Sequence, residues 1–280
     1  MALWTPAEIT TALWLDAADA DTITLNGSNV SQWNDKSGNA RHVSQSTSGN
    51  QPLYDSTDDF VDFGASTAYL FNTSPFLHDS GQISLFSVMD AVAASDTRWV
   101  SEGSSTSNTP LYIMSQCQNS GAVADGTWFI RDDGNSDLLS HTGYRLVGMF
   151  AAGKHINFSQ DDNGDVTLGR NGVMGTTVSY TLGTLTLNRF SIGGILRSSF
   201  SNAMNFKLHE VVAVAGALTL DTRQTIEGYL AHRWGLEANL PAEHPYKAAA
   251  PTPETPTPET PTGLIVAFTT ANSITWGWDG

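Results

Sequence analysis

Residues 223–247 read RQTIEGYLAHRWGLEANLPAEHPYK. This stretch decides the fold, because it is helical grammar at the end of a chain that otherwise reads as strands. Ile226, Tyr229, Leu230 and Trp234 fall at offsets 0, 3, 4 and 8, which places them on one face of a helix. Thr219 is a suitable N-cap, Asp221 lies near the positive end of the helix dipole, and Gly235 supplies a stop. Gly228 inside the helix costs about 1 kcal/mol relative to alanine. A close approach of another backbone or loop is the expected compensation. The stretch is also rich in His, Glu and Arg, which raises the question of an active site. Its periodicity predicts an apolar inner face, charged residues turned mostly to water, and an exit chain (Leu240, Pro241, Pro245, Tyr246) folded back over the domain.

Upstream, short apolar runs recur between clusters of Gly, Asn, Asp and Ser. They span Ile83–Val92, Leu111–Gln116, Thr127–Asp132, Tyr144–Ala152, Asp165–Gly172, Arg189–Gly194 and Phe206–Gly216. This spacing predicts an all-β sandwich or jelly roll rather than alternating strands and helices. Asn163-Gly164 and Asn171-Gly172 each sit between strand-like runs, and both residue types tolerate the positive φ of a tight hairpin.

The ends of this region resemble a known family. ALWLDAADADTITLNGSNVSQWNDKSGNARHVSQ (Ala12–Gln45) resembles the opening of concanavalin A-like, laminin-G-like jelly-roll domains of phage virion and bacterial surface proteins. GRNGV (Gly169–Val173) is similar to a hairpin of that family, and Phe206–Lys247 resembles its ending. The resemblance covers about residues 2–247 and implies a two-sheet jelly roll closed by one C-terminal helix. Residues 248–262 follow as a Pro/Thr/Glu-rich linker with the repeat PTPET-PTPET, an extended spacer. Residues 263–280 resemble the first two strands of a fibronectin type III domain. Their apolar positions Leu264, Val266, Phe268, Ile274 and Trp276 are an expected assembly anchor, completed by strand addition from a neighbouring subunit.

Charge narrows the partners. Thirteen Lys and Arg face 28 Asp and Glu, giving −15, a field that disfavours nucleic-acid phosphates and anionic lipids. No apolar run approaches the length of a membrane span. No Lys or Arg precedes Lys36, so a secretory signal is not expected. The expected route is synthesis in a host cytoplasm and display on a virion surface. Cys117 stands alone and reads as a buried, inert thiol.

Candidate chemistry is sparse. The closely spaced glutamates of a strand-borne glycosidase site are missing, and the paired aspartates put neighbours on opposite strand faces. The seven histidines show no metal spacing, and neither a nucleophile elbow nor a phosphate loop occurs. Trp128 with Asp132 and Asn135 is the candidate sugar platform, an aromatic face beside hydrogen-bonding groups. Trp99 and Tyr112 are further options, while Trp14 and Trp33 read as core. Asp132, Asp133 and Asp137 cluster around a Gly turn and are the candidate calcium ligands, calcium being the one cofactor considered. The resemblance implies a non-enzymatic structural component of a tailed-phage virion, in capsid decoration or a tail and adhesion role. Its partners would be other virion proteins, further copies of itself and a weakly held host surface glycan. The alternative is a carbohydrate-binding adhesin or lectin module, and the third reading is a glycoside hydrolase.

Overall fold

The computed structural model describes residues 2–64, 66–92, 94–117, 124–140, 144–216, 218–253, 265–268 and 274–277. Two antiparallel sheets face each other across one large core. The first sheet runs Leu13–Asp16, Asn205–Ala215, Gln82–Val92, Lys154–Asp162, Asp165–Arg170 in spatial order. The second runs Val43–Ser44, Leu70–Asn72, Arg189–Ile192, Val100–Gly103, Leu111–Cys117, Gly126–Arg131, Asp137–Leu139. Short strands Leu53–Asp55 and Phe60–Asp62 link the two along one side. The architecture is an all-β, jelly-roll-like sandwich with one α-helix, as the sequence predicts.

Alternation along the strands explains where each face goes. On Gln82–Val92, Ile83, Leu85 and Met89 join the core between the sheets, while Phe86 and Val88 face a second cluster on the outside of the first sheet. Asn205–Ala215 divides the same way, with Val211 and Ala213 inward and Val212 and Val214 outward. Both strands are apolar on both faces because the helix Leu220–Trp234 covers that outer surface with Ile226, Tyr229 and Leu230. The Thr219 hydroxyl accepts the Thr222 amide at 3.1 Å. Gly235 takes φ 68°, and the Leu236 amide donates to the Ala231 carbonyl at 2.8 Å, closing the helix.

The close approach predicted at Gly228 is made by Tyr246. A Cβ on Gly228 would fall inside the Tyr246 side chain. The exit chain does fold back, and Leu240 is buried in the helix cluster. It stays docked beyond the boundary expected at residue 247, since the Trp4 amide donates to the Pro251 carbonyl at 2.9 Å. Of the segment 254–264, including Leu264, nothing lies within the described residues. Further on, Ile265–Phe268 pairs antiparallel with Ile274–Gly277, with Val266 opposite Trp276 and Phe268 opposite Ile274.

Both Asn-Gly turns form as two-residue hairpins with positive φ at each central residue, at Asn163 (54°) and Gly164 (98°) and at Asn171 (51°) and Gly172 (80°). One strand expectation fails. Residues 144–152 form a plug rather than a strand, burying Tyr144, Met149 and Phe150 at one end of the core. The strand that takes its place in the sheet is Lys154–Asp162.

Candidate functional site

Apart from the exposed Asp221, the charged residues of the helix are turned into the fold rather than to water. Glu227 is buried and accepts from Arg223 Nη1 at 2.8 Å, with His244 Nε2 at 3.2 Å on its other oxygen. Glu210, on the underlying strand, is fully buried and accepts from Trp14 Nε1, Tyr229 Oη and Trp234 Nε1 at 2.7–2.8 Å. Burial holds its carboxyl well above the usual carboxylate range. Arg233 spans from Glu210 to Asp16 in the first strand, and Lys36 reaches Asp16 from the other side at 2.9 Å. Every one of these groups is consumed by a partner inside the fold. The cluster is therefore a latch joining the opening motif to the closing helix, and it leaves no group free to act on a ligand.

The sugar platform expected at Trp128 is also internal. Trp128 is 0% exposed and points between the sheets, because Trp128 and Ile130 take the inward alternation on their strand. Trp99 and Tyr112 are each 1% exposed. None of the three offers a ring face to a ligand. Asp132 and Asn135 form a tight turn: Asn135 has φ 66°, and the Ser136 amide donates to Asp132 Oδ1 at 2.7 Å. The carboxylates expected to share a calcium ion are turned apart. Asp133 receives the Thr186 amide and hydroxyl at 2.8 and 2.6 Å, and Asp137 pairs with Arg131 at 2.7 Å. Among the described residues, no three His, Cys, Asp or Glu side chains converge to hold a metal ion.

Beside this turn lies a cleft of about 400 Å³, lined by His78, Asp79, Gly81, Asp161, Tyr180, Leu182 and Gly183. Its floor is built by the two sheets. Asp161 is the penultimate residue of the strand Lys154–Asp162 and is 4% exposed. Its Oδ2 accepts from Tyr112 Oη and from Tyr180 Oη, both at 2.7 Å, and its Oδ1 accepts the Gly164 amide at 2.8 Å. Burial and the facing carboxylate push both phenols upward, Tyr112 and Tyr180 alike, so each stays a protonated donor. The wall carrying Tyr180 is fixed by the hairpin below it, where the Tyr180 amide donates to the Gly164 carbonyl at 2.8 Å. Gly164 is required there, since a Cβ would lie 2.7 Å from the Tyr180 carbonyl oxygen.

The opposite wall is the segment 76–79. Buried Glu102 accepts the amides of Phe76, Leu77 and His78 at 2.5–3.0 Å and so fixes its path. Burial raises Glu102 to about 7, against the pull of those three amides. His78 stands edge-on to Tyr112 with ring centroids 5.4 Å apart. Its Nδ1 is buried and makes no hydrogen bond, the nearest acid being Asp79 at 3.5 Å. Asp79 is exposed, and Leu182 at the rim is 55% exposed. The cleft thus offers an open carboxylate, an imidazole, a phenol ring and an apolar rim, with no Lys or Arg among its lining residues. Sequence reasoning missed this site because its residues come from three separate segments and carry no shared spacing.

No family model and no curated protein matches the chain. Solved structures do. Trypanosoma rangeli sialidase in complex with sialic acid superposes with a TM-score of 0.52 at 12% identity, over 83% of this chain and 34% of that one. The binding domain of botulinum neurotoxin serotype D gives 0.50 at 10% identity over 80% and 52%. Botulinum neurotoxin type C, from a study of its interaction with two ganglioside molecules, gives 0.50 at 12% identity over the same shares. The chain therefore spans between a third and about half of these neighbours, and the likeness is one of fold.

Proposed function

We propose that the chain is a carbohydrate-binding module whose cleft beside His78 takes a hydroxyl-rich, uncharged saccharide unit. The observation that carries this reading is the pairing of open and locked groups around one small cavity. Asp79 is free to accept sugar hydroxyls, while Tyr180 and Leu182 give apolar surface to a sugar ring. Two carboxylates with no Lys or Arg around the cavity favour hydroxyl donors over anions. The solved neighbours, one described with sialic acid and another by its interaction with gangliosides, support carbohydrate binding in general; the preference for an uncharged unit rests on the cleft's lining.

Binding without turnover fits the same geometry. Hydrolysis needs an acid and a base or nucleophile flanking the scissile bond. Asp161 is already occupied by two phenols and an amide, and neither phenol is shifted toward ionisation. The wider setting we propose is display on a tailed-phage particle, and it rests on the motifs Ala12–Gln45 and Phe206–Lys247 alone.

A glycan array with the full chain tests the reading, followed by Asp79→Ala, a change at an exposed side chain. The expected result is binding to uncharged glycans that weakens about tenfold in the variant, the loss of one to two hydrogen bonds. Failure to bind any glycan, or equal binding by the variant, would overturn it. Release of reducing sugar would replace it with a glycosidase.

A further inference from the structure

We propose that the outer face of the second sheet carries a separate anion site, built by Arg131, Arg189 and Arg197, that takes the carboxylate groups of an acidic polysaccharide. The register places its parts in one row across four strands. Arg189 stands opposite Gly103, Gly103 opposite Leu111, and Leu111 opposite Arg131. Their neighbours Phe190, Tyr112 and Ile130 point into the core, so this row points outward.

Arg197 crosses the row from above. It belongs to the segment joining Ile195–Leu196 to Phe200–Ser201, a hairpin folded over this face. Gly103 makes room for it, since a Cβ there would lie 3.2 Å from Arg197 Cγ and 3.0 Å from the Leu196 carbonyl oxygen. Arg189 Nη1 donates to the Arg197 carbonyl, and Arg197 Nη1 donates to the Asn108 carbonyl at 2.6 Å. Arg189 and Arg131 are thus three strand spacings apart, about 14 Å, with Arg197 lying over Gly103 between them.

Among the described residues, two of the three arginines in the row lack a carboxylate partner. Acids outnumber bases 28 to 13; Arg98, Arg145, Arg223 and Arg233 each hold a carboxylate, while Arg41 and Arg170 donate to carbonyl oxygens within the fold. Arg131 shares one with Asp137. Arg189 and Arg197 have no carboxylate partner among the described residues, and Arg197 Nε is buried without a hydrogen bond. Burial and the nearby Arg131 depress the Arg197 guanidinium. Three guanidinium groups here share a single paired carboxylate, which leaves excess positive charge that a bound anion would offset, and guanidinium forks match carboxylates in two-point contact. Rings hold the heads in place, with Phe129 4.9 Å from Arg131 and Phe71 5.9 Å from Arg189. A row rather than a single pocket suits anionic groups repeated along a polymer. The site shares no residue with the cleft, so either can fail without the other.

The test measures binding of the full chain to polygalacturonate, dextran sulfate, dextran and inorganic phosphate, with Arg189→Gln/Arg197→Gln as the variant and Lys154→Gln as the control. Polygalacturonate should bind, lose affinity between about 50 and about 500 mM NaCl, and bind at least about tenfold more weakly to the double variant, with Lys154→Gln unchanged. Dextran should not bind. Unaltered denaturation midpoints establish that the variant is folded; if the double variant unfolds, each single substitution is read instead. Equal binding by folded variant and parent overturns the proposal, as does no binding of polygalacturonate. Preference for dextran sulfate overturns the assignment to carboxylates. Equal competition by phosphate alone would reduce the site to one for small anions. A monomer produced from a parental oligomer by the substitutions would make the face a self-interface instead.

Discussion

Arg233, in the last turn of the closing helix, lies 2.8 Å from Asp16 in the first strand, 217 residues earlier in the chain. Asp16 is 1% exposed, and the same guanidinium comes within 3.3 Å of the fully buried Glu210. Removing one partner of such a cluster leaves charge in a poorly solvated place, a loss larger than the net worth of the pair. Arg233→Ala should cost about 3 kcal/mol, tempered by the Lys36 contact that remains on Asp16. Arg233→Lys should recover only part of it, because one ammonium cannot span both carboxylates. Urea denaturation of the three chains checks this, and a midpoint unchanged in Arg233→Ala would refute the latch.

Gly228 gives a prediction against the usual rule. Glycine to alanine inside a helix ordinarily stabilises by about 1 kcal/mol. Here the added Cβ would run into Tyr246, whose hydroxyl also bonds Thr225 at 3.1 Å. Gly228→Ala should therefore destabilise, by about 1–3 kcal/mol of overpacking. Introduced into a Tyr246→Ala background, the same substitution should become stabilising. A double-mutant cycle measures the reversal, and additive effects would show that Tyr246 does not press on Gly228.

Much of this fold could be read from the chain, for reasons that differ by element. The helix, its Thr219 cap and its Gly235 stop were legible because they depend on local spacing and on one αL residue. The Asn-Gly hairpins were legible because few residue pairs tolerate two successive positive φ values. Lys154–Asp162 was not, since Asn157, Ser159 and Asp161 occupy its buried inward positions and invert the expected pattern. The run 144–152 misled for the opposite reason: its apolar residues plug the end of the core instead of pairing. The cleft depends on His78, Asp161 and Tyr180 meeting in space, and the latch on Asp16 meeting Arg233. No local pattern encodes either meeting.

Two buried groups should give opposite responses to pH. Glu102 rises from 4.5 to about 7, chiefly by burial. Its protonated form is favoured by folding, so its contribution is complete below about 4.5 and is lost as pH rises through 7. His209 falls from 6.5 to about 4, again chiefly by burial. Its contribution is present above 6.5 and is lost as pH falls through 4. Each shift corresponds to about 3 kcal/mol. Relative to the parent, Glu102→Gln should cost more stability at pH 5 than at pH 8, and His209→Gln more at pH 8 than at pH 4. Denaturation midpoints across pH decide it; two variants with parallel, pH-independent losses would show that neither group titrates as its burial dictates.

Trp128 separates a core role from a binding role most directly. It is fully buried, and it meets Tyr112 edge-on at 6.0 Å. Trp128→Ala should cost about 3–5 kcal/mol, enough to confuse unfolding with lost binding. Trp128→Phe keeps an aromatic ring in the same space and should cost about 1–2 kcal/mol. If the ligand sits in the cleft, Trp128→Phe should bind glycan as the parent does, while Asp79→Ala loses affinity at unchanged stability. Calorimetry with the best array ligand, alongside urea curves for both variants, reads the two effects separately. Loss of binding in a stable Trp128→Phe chain would move the ligand from the cleft to the tryptophan.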